Sequence, residues 1–246
     1  MEVHKPKLVE NWRELFREWG IIVLGVLTAL LAEQAVQSIE WHHKVRAAIA
    51  DMDQELGAAD GPESYARLAM HDCLAARLTK IRDTIEQGDR TGTRNLIGSV
   101  WLPDRTYDSL AHDSAIASDV GSHMPADEMF NFRIVYSLIP QLNRLQDQEL
   151  SDLALLRALP ATGGDVQQVE KLSEINAVEA LQLDNDRMAR AASFTLRQMG
   201  SIGVALVRPS VQNNVGEANL HYGGCLTQNL KPLLEKQPVL RKEASS

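Results

Sequence analysis

Residues 19–43 read WGIIVLGVLTALLAEQAVQSIEWHH, and the fold turns on whether this is a membrane span or a core helix. Trp19 to Ala32 is a run of fourteen mostly apolar residues, and Glu33, Gln34, Gln37 and Glu40 then fall where lipid would be. A bilayer core of about 30 Å needs roughly 20 helical residues, and runs of about 10–14 are more often core helices or signal-peptide cores. A cleaved signal peptide fits poorly. The flank before the run is 18 residues long and carries acids, and no A-x-A-like site precedes a sensible mature start.

Two features restore the span. Trp12, Phe16 and Trp19 lie at or before its start and Trp41 at its end, and tryptophan prefers the boundary between lipid and water. Trp19 to Trp41 is 23 residues, long enough at about 1.5 Å per residue to cross with some tilt. Ile21, Gly25, Ala29, Glu33, Gln37 and Trp41 recur every four residues and wind along one slowly drifting face. Gly25-x-x-x-Ala29 is a small-xxx-small pair of the kind that lets two helices approach in lipid. Glu33 and Gln37 continue that face with groups able to hydrogen-bond across the contact. Gly25, Ala29, Glu33 and Gln37 are thus the expected helix-association face, and Trp12, Trp19 and Trp41 the expected interface anchors. A second copy of the chain, or a partner membrane protein, is the expected neighbour. The alternative is a long soluble helix with Glu33 at its solvent edge. A helix lying in the interface would need a polar face, which residues 20–32 lack.

Lys5, Lys7, Arg13 and Arg17 precede the span, whereas Lys44 and Arg46 are the only cations within about 20 residues after it. The positive-inside rule then keeps residues 1–18 in the cytoplasm, makes 19–41 the transmembrane anchor and puts 42–246 outside. In a bacterium that is an inner-membrane protein with a periplasmic domain.

Residues 14–41 also resemble the N-terminal anchor of a group of bacterial single-pass membrane proteins of unknown function. The shared pattern is an acid, then G-[VI]-L-x-A-L, a polar pair and a tryptophan. Here these are Glu14 or Glu18, then Gly25 to Leu30, then Glu33 and Gln34, then Trp41. The resemblance covers about a ninth of the chain. It implies a single-pass topology with a helical domain behind the anchor, and no activity.

The remainder reads as helices. Aromatic residues make up only 5% of the chain, and strands favour aromatic and β-branched residues. Val45, Ala48, Ile49, Met52 and Leu56 extend the anchor helix as an amphipathic stalk, which Gly57 and Gly61-Pro62 are expected to close. Helices are then expected over about Glu63–Gln87 with Gly88 as C-cap, over a short stretch near Arg94–Val100, and over about Thr106–Val120. Another runs from Pro125 to about Leu159, kinked or split by Pro140, and a last one from Val166 to about Val207. From about residue 208 an irregular tail follows, with one short helix near Leu226–Leu234. The expected architecture is all-α, an antiparallel bundle behind a transmembrane helix and its stalk.

Charge narrows the partners. Residues 42–246 hold 21 Lys and Arg against 27 Asp and Glu, and no basic patch suits a phosphate backbone. Nucleic acid is not an expected partner, and membrane lipid is. Cys73 and Cys225 belong to no CxxC pair. They are either two buried thiols or, in an oxidising compartment, one disulfide from the second helix to the C-terminal segment.

Chemistry is sparse. HDC at 71–73 and HDS at 112–114 are suggestive side by side, yet there is no HExxH and no paired Glu-x-x-His set. A metal site from His71, Cys73 and His112 is conceivable on scattered spacing, but local hydrogen bonding is the simpler reading. Ser109 and Ser114 lie near His112 without making a triad. GSIGV at 200–204 and HYGGC at 221–225 match neither a GxGxxG nor a Walker pattern and read as helix ends. His42-His43 lies just past Trp41 as an ordinary interfacial pair. No cofactor, metal or catalytic residue is expected. The leading functional expectation is a non-enzymatic, membrane-anchored interaction or scaffold protein. The alternative is an accessory subunit of a transport or proton-coupled membrane complex that uses Glu33, since ionisable groups in lipid are costly and tend to be functional or paired.

Overall fold

The computed structural model describes residues 12–158 and 168–226, and among them the chain is all-α with no strand. It divides into two units, residues 1–47 and 48–246. Helix α1, Trp12–Glu55, carries the first unit. Nothing in its sequence interrupts it, because Gly20 and Gly25 are its only glycines and it holds no proline. From Trp12 to Leu31 nearly all the large apolar side chains are exposed, on every side of the helix. Trp12, Phe16, Trp19, Ile21, Ile22, Leu24, Val26, Leu27, Leu30 and Leu31 are all exposed.

The second unit begins on the last turns of α1 and does not break at the glycines. Five residues, Leu56–Asp60, form a π-helical turn, and α2, Gly61–Gln87, continues directly from it. The expected stop at Gly57 and Gly61-Pro62 is therefore corrected, and the reason is local. In a π turn each N–H reaches back five residues, as Gly61 N–H does to the Leu56 carbonyl. Pro62 has no N–H to give to Gly57, and the freed Gly57 carbonyl accepts instead from Val207 N–H at 2.8 Å. The proline costs no hydrogen bond because a distant segment supplies one.

That segment sits very close. A Cβ added at Gly57 would lie 2.6 Å from the Ala205 carbonyl oxygen, and one at Gly61 would collide with Leu206. Both glycines are needed for the approach rather than for a turn.

Helix α3 spans Arg90–Gly98, α4 Leu110–Ala117, α5 Ala126–Tyr136, α6 Ile139–Ala158, α7 Gln168–Ser201 and α8 Arg208–Tyr222. Gly88, at φ 77°, caps α2 in the left-handed region. Pro140 does split the long segment: α5 ends at Tyr136 and α6 starts at Ile139, so Pro140 lies in a first turn where its missing N–H has no intrahelical partner to lose. Three further expectations fail. The helix expected to run to about Val207 ends at Ser201, with Gly203 at positive φ just beyond it. The helix expected from Thr106 begins only at Leu110, because side chains hold the backbone before it. The tail expected to be irregular from 208 opens with α8. Its Pro209 is another first-turn proline, and Val211, Asn214, Ala218 and Tyr222 form a buried face at helical spacing. The helix expected near Leu226–Leu234 lies almost wholly outside the described residues.

Helix α2 is the hub. It runs antiparallel to α7, for His71 meets Asp186, Thr79 meets Gln182, and the Glu86 carbonyl meets Lys171. It runs in the same sense as α8, for Glu63 meets Asn214 and the His221 carbonyl meets Arg77. The core gathers Leu74, Leu78, Ile81 and Ile85 of α2 with Leu153 and Leu156 of α6, Val178 and Leu181 of α7, and Ala218 and Tyr222 of α8. At its side Cys73 and Cys225 are joined by a disulfide, with Cα atoms 5.8 Å apart, so the end of α8 is tied to the middle of α2.

The close contact at Gly57 gives a test. Gly57→Ala should destabilise the bundle by about 1–3 kcal/mol, the usual cost of overpacking. Gly216→Ala, in α8 where a Cβ meets nothing within 4 Å, should stabilise it by about 0.5–1 kcal/mol through helix propensity. Thermal melts of both variants check this, and equal shifts in the same direction would contradict it.

Candidate functional site

The inward stripe of α1 does not stop at Leu56. It continues through Asp60, Glu63 and Arg67 at helical spacing before returning to Met70, Leu74 and Leu78, all of them buried. Three charged residues therefore enter the interior on the face that otherwise carries the core. Arg67 and Glu149 of α6, each 1% exposed, form a buried pair in which the Arg67 Nη2 is 2.5 Å from both carboxylate oxygens. Breaking such a pair costs far more than it gains over apolar packing, so it specifies how α2 meets α6.

Asp60 has no such counterpart among the described residues, and Glu63 has only the exposed Arg105. Asp60 is 2% exposed. One of its oxygens accepts from Asp108 N–H at 3.1 Å, and the other, Oδ2, has no hydrogen-bond partner among the described residues. Burial, resisted by the Asp108 N–H and reinforced by Glu55, Asp108 and Glu63, pushes the Asp60 carboxyl up to about 8. Glu63 is 5% exposed. Its Oε2 accepts from Asn214 Nδ2 at 3.3 Å and lies 3.7 Å from Arg105 Nε, while Oε1 is likewise unpartnered. Burial raises Glu63 too, against the pull of Arg105 and Arg67.

These acids also hold a loop. Residues 101–109 form a loop outside any helix or strand, and their backbone groups must find other partners. Asp108 N–H goes to Asp60, and Tyr107 N–H and carbonyl pair with Asn143 of α6 at 2.9 Å each. The Arg105 carbonyl takes Gln146 Nε2, and at the start of α4 the Ala111 N–H goes to Glu55 at 3.0 Å. Arg105 then reaches α8, donating to Asn214 Oδ1 at 2.6 Å and to Glu217. Between the π turn, this loop and α8 lies a cleft of about 370 Å³ lined by Asp60, Glu63, Arg105, Thr106, Ser210 and Asn213, among others. Its floor is acidic, and its rim carries hydroxyl and amide groups. A carboxyl held neutral at physiological pH is a hydrogen-bond donor there and becomes an acceptor only as it ionises.

A second cleft, of about 500 Å³, lies between α6 and α7 with Leu138, Leu145 and Phe194 beside Arg187 and Arg190.

The residues singled out from sequence fall elsewhere. Gly25, Ala29, Glu33 and Gln37 lie exposed on α1 in the first unit, where Gln37 Nε2 donates to Glu33 at 3.4 Å. Trp12 and Trp19 are exposed, and Lys44 Nζ stands 4.8 Å over the Trp41 ring. His71, Cys73 and His112 do not converge. Cys73 is in the disulfide, His71 bridges Asp72 and Asp186 at 2.8 and 2.9 Å, and His112 stacks on Tyr136. Among the described residues no three His, Cys, Asp or Glu side chains group as a metal site. Ser109 donates to Asp113 rather than to His112, so its hydroxyl is not activated by the imidazole. The glycines of 200–204 and 221–225 end α7 and α8, with Gly203 and Gly223 at positive φ.

Local sequence reasoning misses Asp60 and Glu63 because Gly61-Pro62 between them reads as a helix stop. The signal is there all the same: read through the proline, 52, 56, 60, 63, 67 and 70 keep a spacing of three and four. No protein-family model matches the chain, and neither a curated protein nor a solved structure does so.

The raised Asp60 carboxyl makes stability depend on pH. Its ordinary value is about 3.9 in the unfolded chain, so between about 4 and about 8 the folded protein binds a proton that the unfolded chain has lost. The stabilisation relative to alkaline solution is therefore complete below about 4 and gone by about 8. Asp60→Asn, which keeps an acceptor for Asp108 N–H, should flatten that loss. Denaturant titrations of both proteins at pH 5 to 9 measure it, and parallel pH profiles would contradict it.

Proposed function

We propose that this chain is a single-pass membrane protein whose helical bundle works outside the cytoplasm by binding, without catalysis. The observation that carries the reading is the first unit. Its most apolar 18-residue window has none of its residues buried within the protein. Each large apolar side chain left in water forgoes about 1.5–3 kcal/mol, and lipid is the cover that suits a helix apolar on all sides. Trp12, Trp19 and Trp41 suit the two interfaces, and the excess of cations before the span favours a cytoplasmic N-terminus. The Cys73–Cys225 disulfide suits an oxidising space such as a bacterial periplasm.

Binding rather than catalysis is favoured by what the organised polar groups do. Asp60, Glu55, Asn143 and Gln146 serve backbone groups of one loop, and the serine beside His112 is committed to a carboxylate. Glu33 remains the residue on which a proton-coupled role would rest. Its bond to Gln37 gives it a partner on its own helix, which favours a polar contact near the headgroups or between helices.

Expressed in a bacterium, the chain should pellet with membranes and resist extraction by salt and carbonate, yielding only to detergent. Thiol labelling of intact cells should leave Cys73 and Cys225 unmodified until a reductant is added. Recovery in the soluble fraction would end the anchor reading, and thiols that label without reduction would place the bundle in the cytoplasm.

A further inference from the structure

We propose that the cleft between the π turn, the 101–109 loop and α8 binds a small primary ammonium compound carrying neighbouring hydroxyl groups. Asp60 and Glu63 would take the ammonium, and Thr106, Ser210 and Asn213 the hydroxyls. The inference does not depend on the membrane reading and stands if the anchor assignment fails.

The site is built into the fold. Asp60 and Glu63 are each more than nine-tenths buried, yet both line the cleft, and each keeps one oxygen with no donor among the described residues. Leaving a buried acceptor unmade costs about 1–3 kcal/mol, and native structures keep such groups when water, an ion or a ligand meets them. Their other oxygens are satisfied, by Asp108 N–H and by Asn214. What the two residues lack is therefore one donor each, and they lie three positions apart, Asp60 in the π turn and Glu63 in the first turn of α2.

The surrounding charge selects their kind. Facing the two acids are Glu55 from α1, Asp108 from the loop and Glu217 from α8, and the nearby cations are Arg67 and Arg105. Arg67 is held by Glu149, and Arg105 spends its donors on Asn214 and Glu217. An anion would find no free cation at the floor, whereas a cation finds two carboxyls. A metal ion would need a fuller ligand set, and the described residues hold no such group. A primary ammonium has three N–H donors, enough to serve both orphaned oxygens without a cage. A cleft of about 370 Å³ is small-molecule sized.

Binding an ammonium requires a carboxylate, so a proton must leave first. Affinity should then rise about tenfold per pH unit below the titration of Asp60 and level off above it. Isothermal titration calorimetry on the full chain in detergent tests this with ethanolamine as the probe. Ethylene glycol serves as the uncharged control, choline as a cation without N–H donors, and magnesium as a divalent ion. We expect ethanolamine to bind with the pH dependence above, and the three controls at least tenfold more weakly. Asp60→Asn and Glu63→Gln, each checked by circular dichroism for a native melt, should each weaken ethanolamine at least tenfold. Arg105→Gln, which removes the competing cation and keeps both acids, should strengthen it. No heat from ethanolamine, equal binding of choline or ethylene glycol, stronger binding of magnesium, or indifference to all three substitutions would overturn the proposal. Competition by phosphatidylethanolamine vesicles but not by phosphatidylcholine vesicles would assign the ammonium to a lipid headgroup. Without competition it belongs to a soluble amine.

Discussion

A single hydrogen bond decides how this bundle is put together. Pro62 cannot donate to the Gly57 carbonyl, and Val207 N–H does so from about 150 residues away in sequence. Without that donor a continuous helix through Gly57, Gly61 and Pro62 would carry an unmet buried carbonyl, and a break would be the cheaper course. With it, α1 passes through one π turn into α2, and the 204–207 segment is pressed against two glycines that admit it. Pro209 then starts α8 from a fixed point, and the Cys73–Cys225 disulfide fixes the other end of α8 on the same helix. The two ties bracket α8 along α2. In the chain-entropy view the disulfide, whose cysteines lie 152 residues apart, is among the long closures that gain most.

The continuous helix also carries charge inward. Because the chain does not break at Gly61-Pro62, the inward stripe of α1 runs on through Asp60 and Glu63, which are buried together with Gly61 and Pro62. Burying those acids is unfavourable by itself. Part of the cost is met by the loop, since Asp60 accepts from Asp108 N–H, which would otherwise be unpaired beside α2. The part left over is one unpartnered carboxyl oxygen on each of two residues that line the cleft. Functional sites are where proteins keep such unfavourable arrangements, and π turns recur there for the same reason.

How far the sequence foretells this differs from element to element. The α2 and α7 helices, the cap at Gly88 and the split at Pro140 follow from apolar spacing and from glycine and proline chemistry, which act within a turn or two. Gly61-Pro62 and the segment after 207 mislead for one shared reason. Both read as breaks when judged locally, and each is helical because of the other: Val207 relieves the proline at 62, and the docking of 204–207 on Gly57 and Gly61 sets the start of α8. No window of neighbouring residues contains that information. The cleft is hidden with it, since recognising Asp60 and Glu63 as inward-facing requires carrying the stripe across the proline. Histidine proximity misleads in the opposite sense, because His71 and His112 each turn to adjacent carboxylates rather than to each other.

All of this requires that the buried Asp60 carboxyl stay neutral at physiological pH. Carbon-13 NMR of the side-chain carboxyls of Asp and Glu in the detergent-solubilised chain measures that directly. We expect one carboxyl resonance that titrates near 8, and that is missing from the Asp60→Asn variant. A spectrum in which the Asp60 resonance ionises at or below about 5, as exposed carboxylates do, would contradict it.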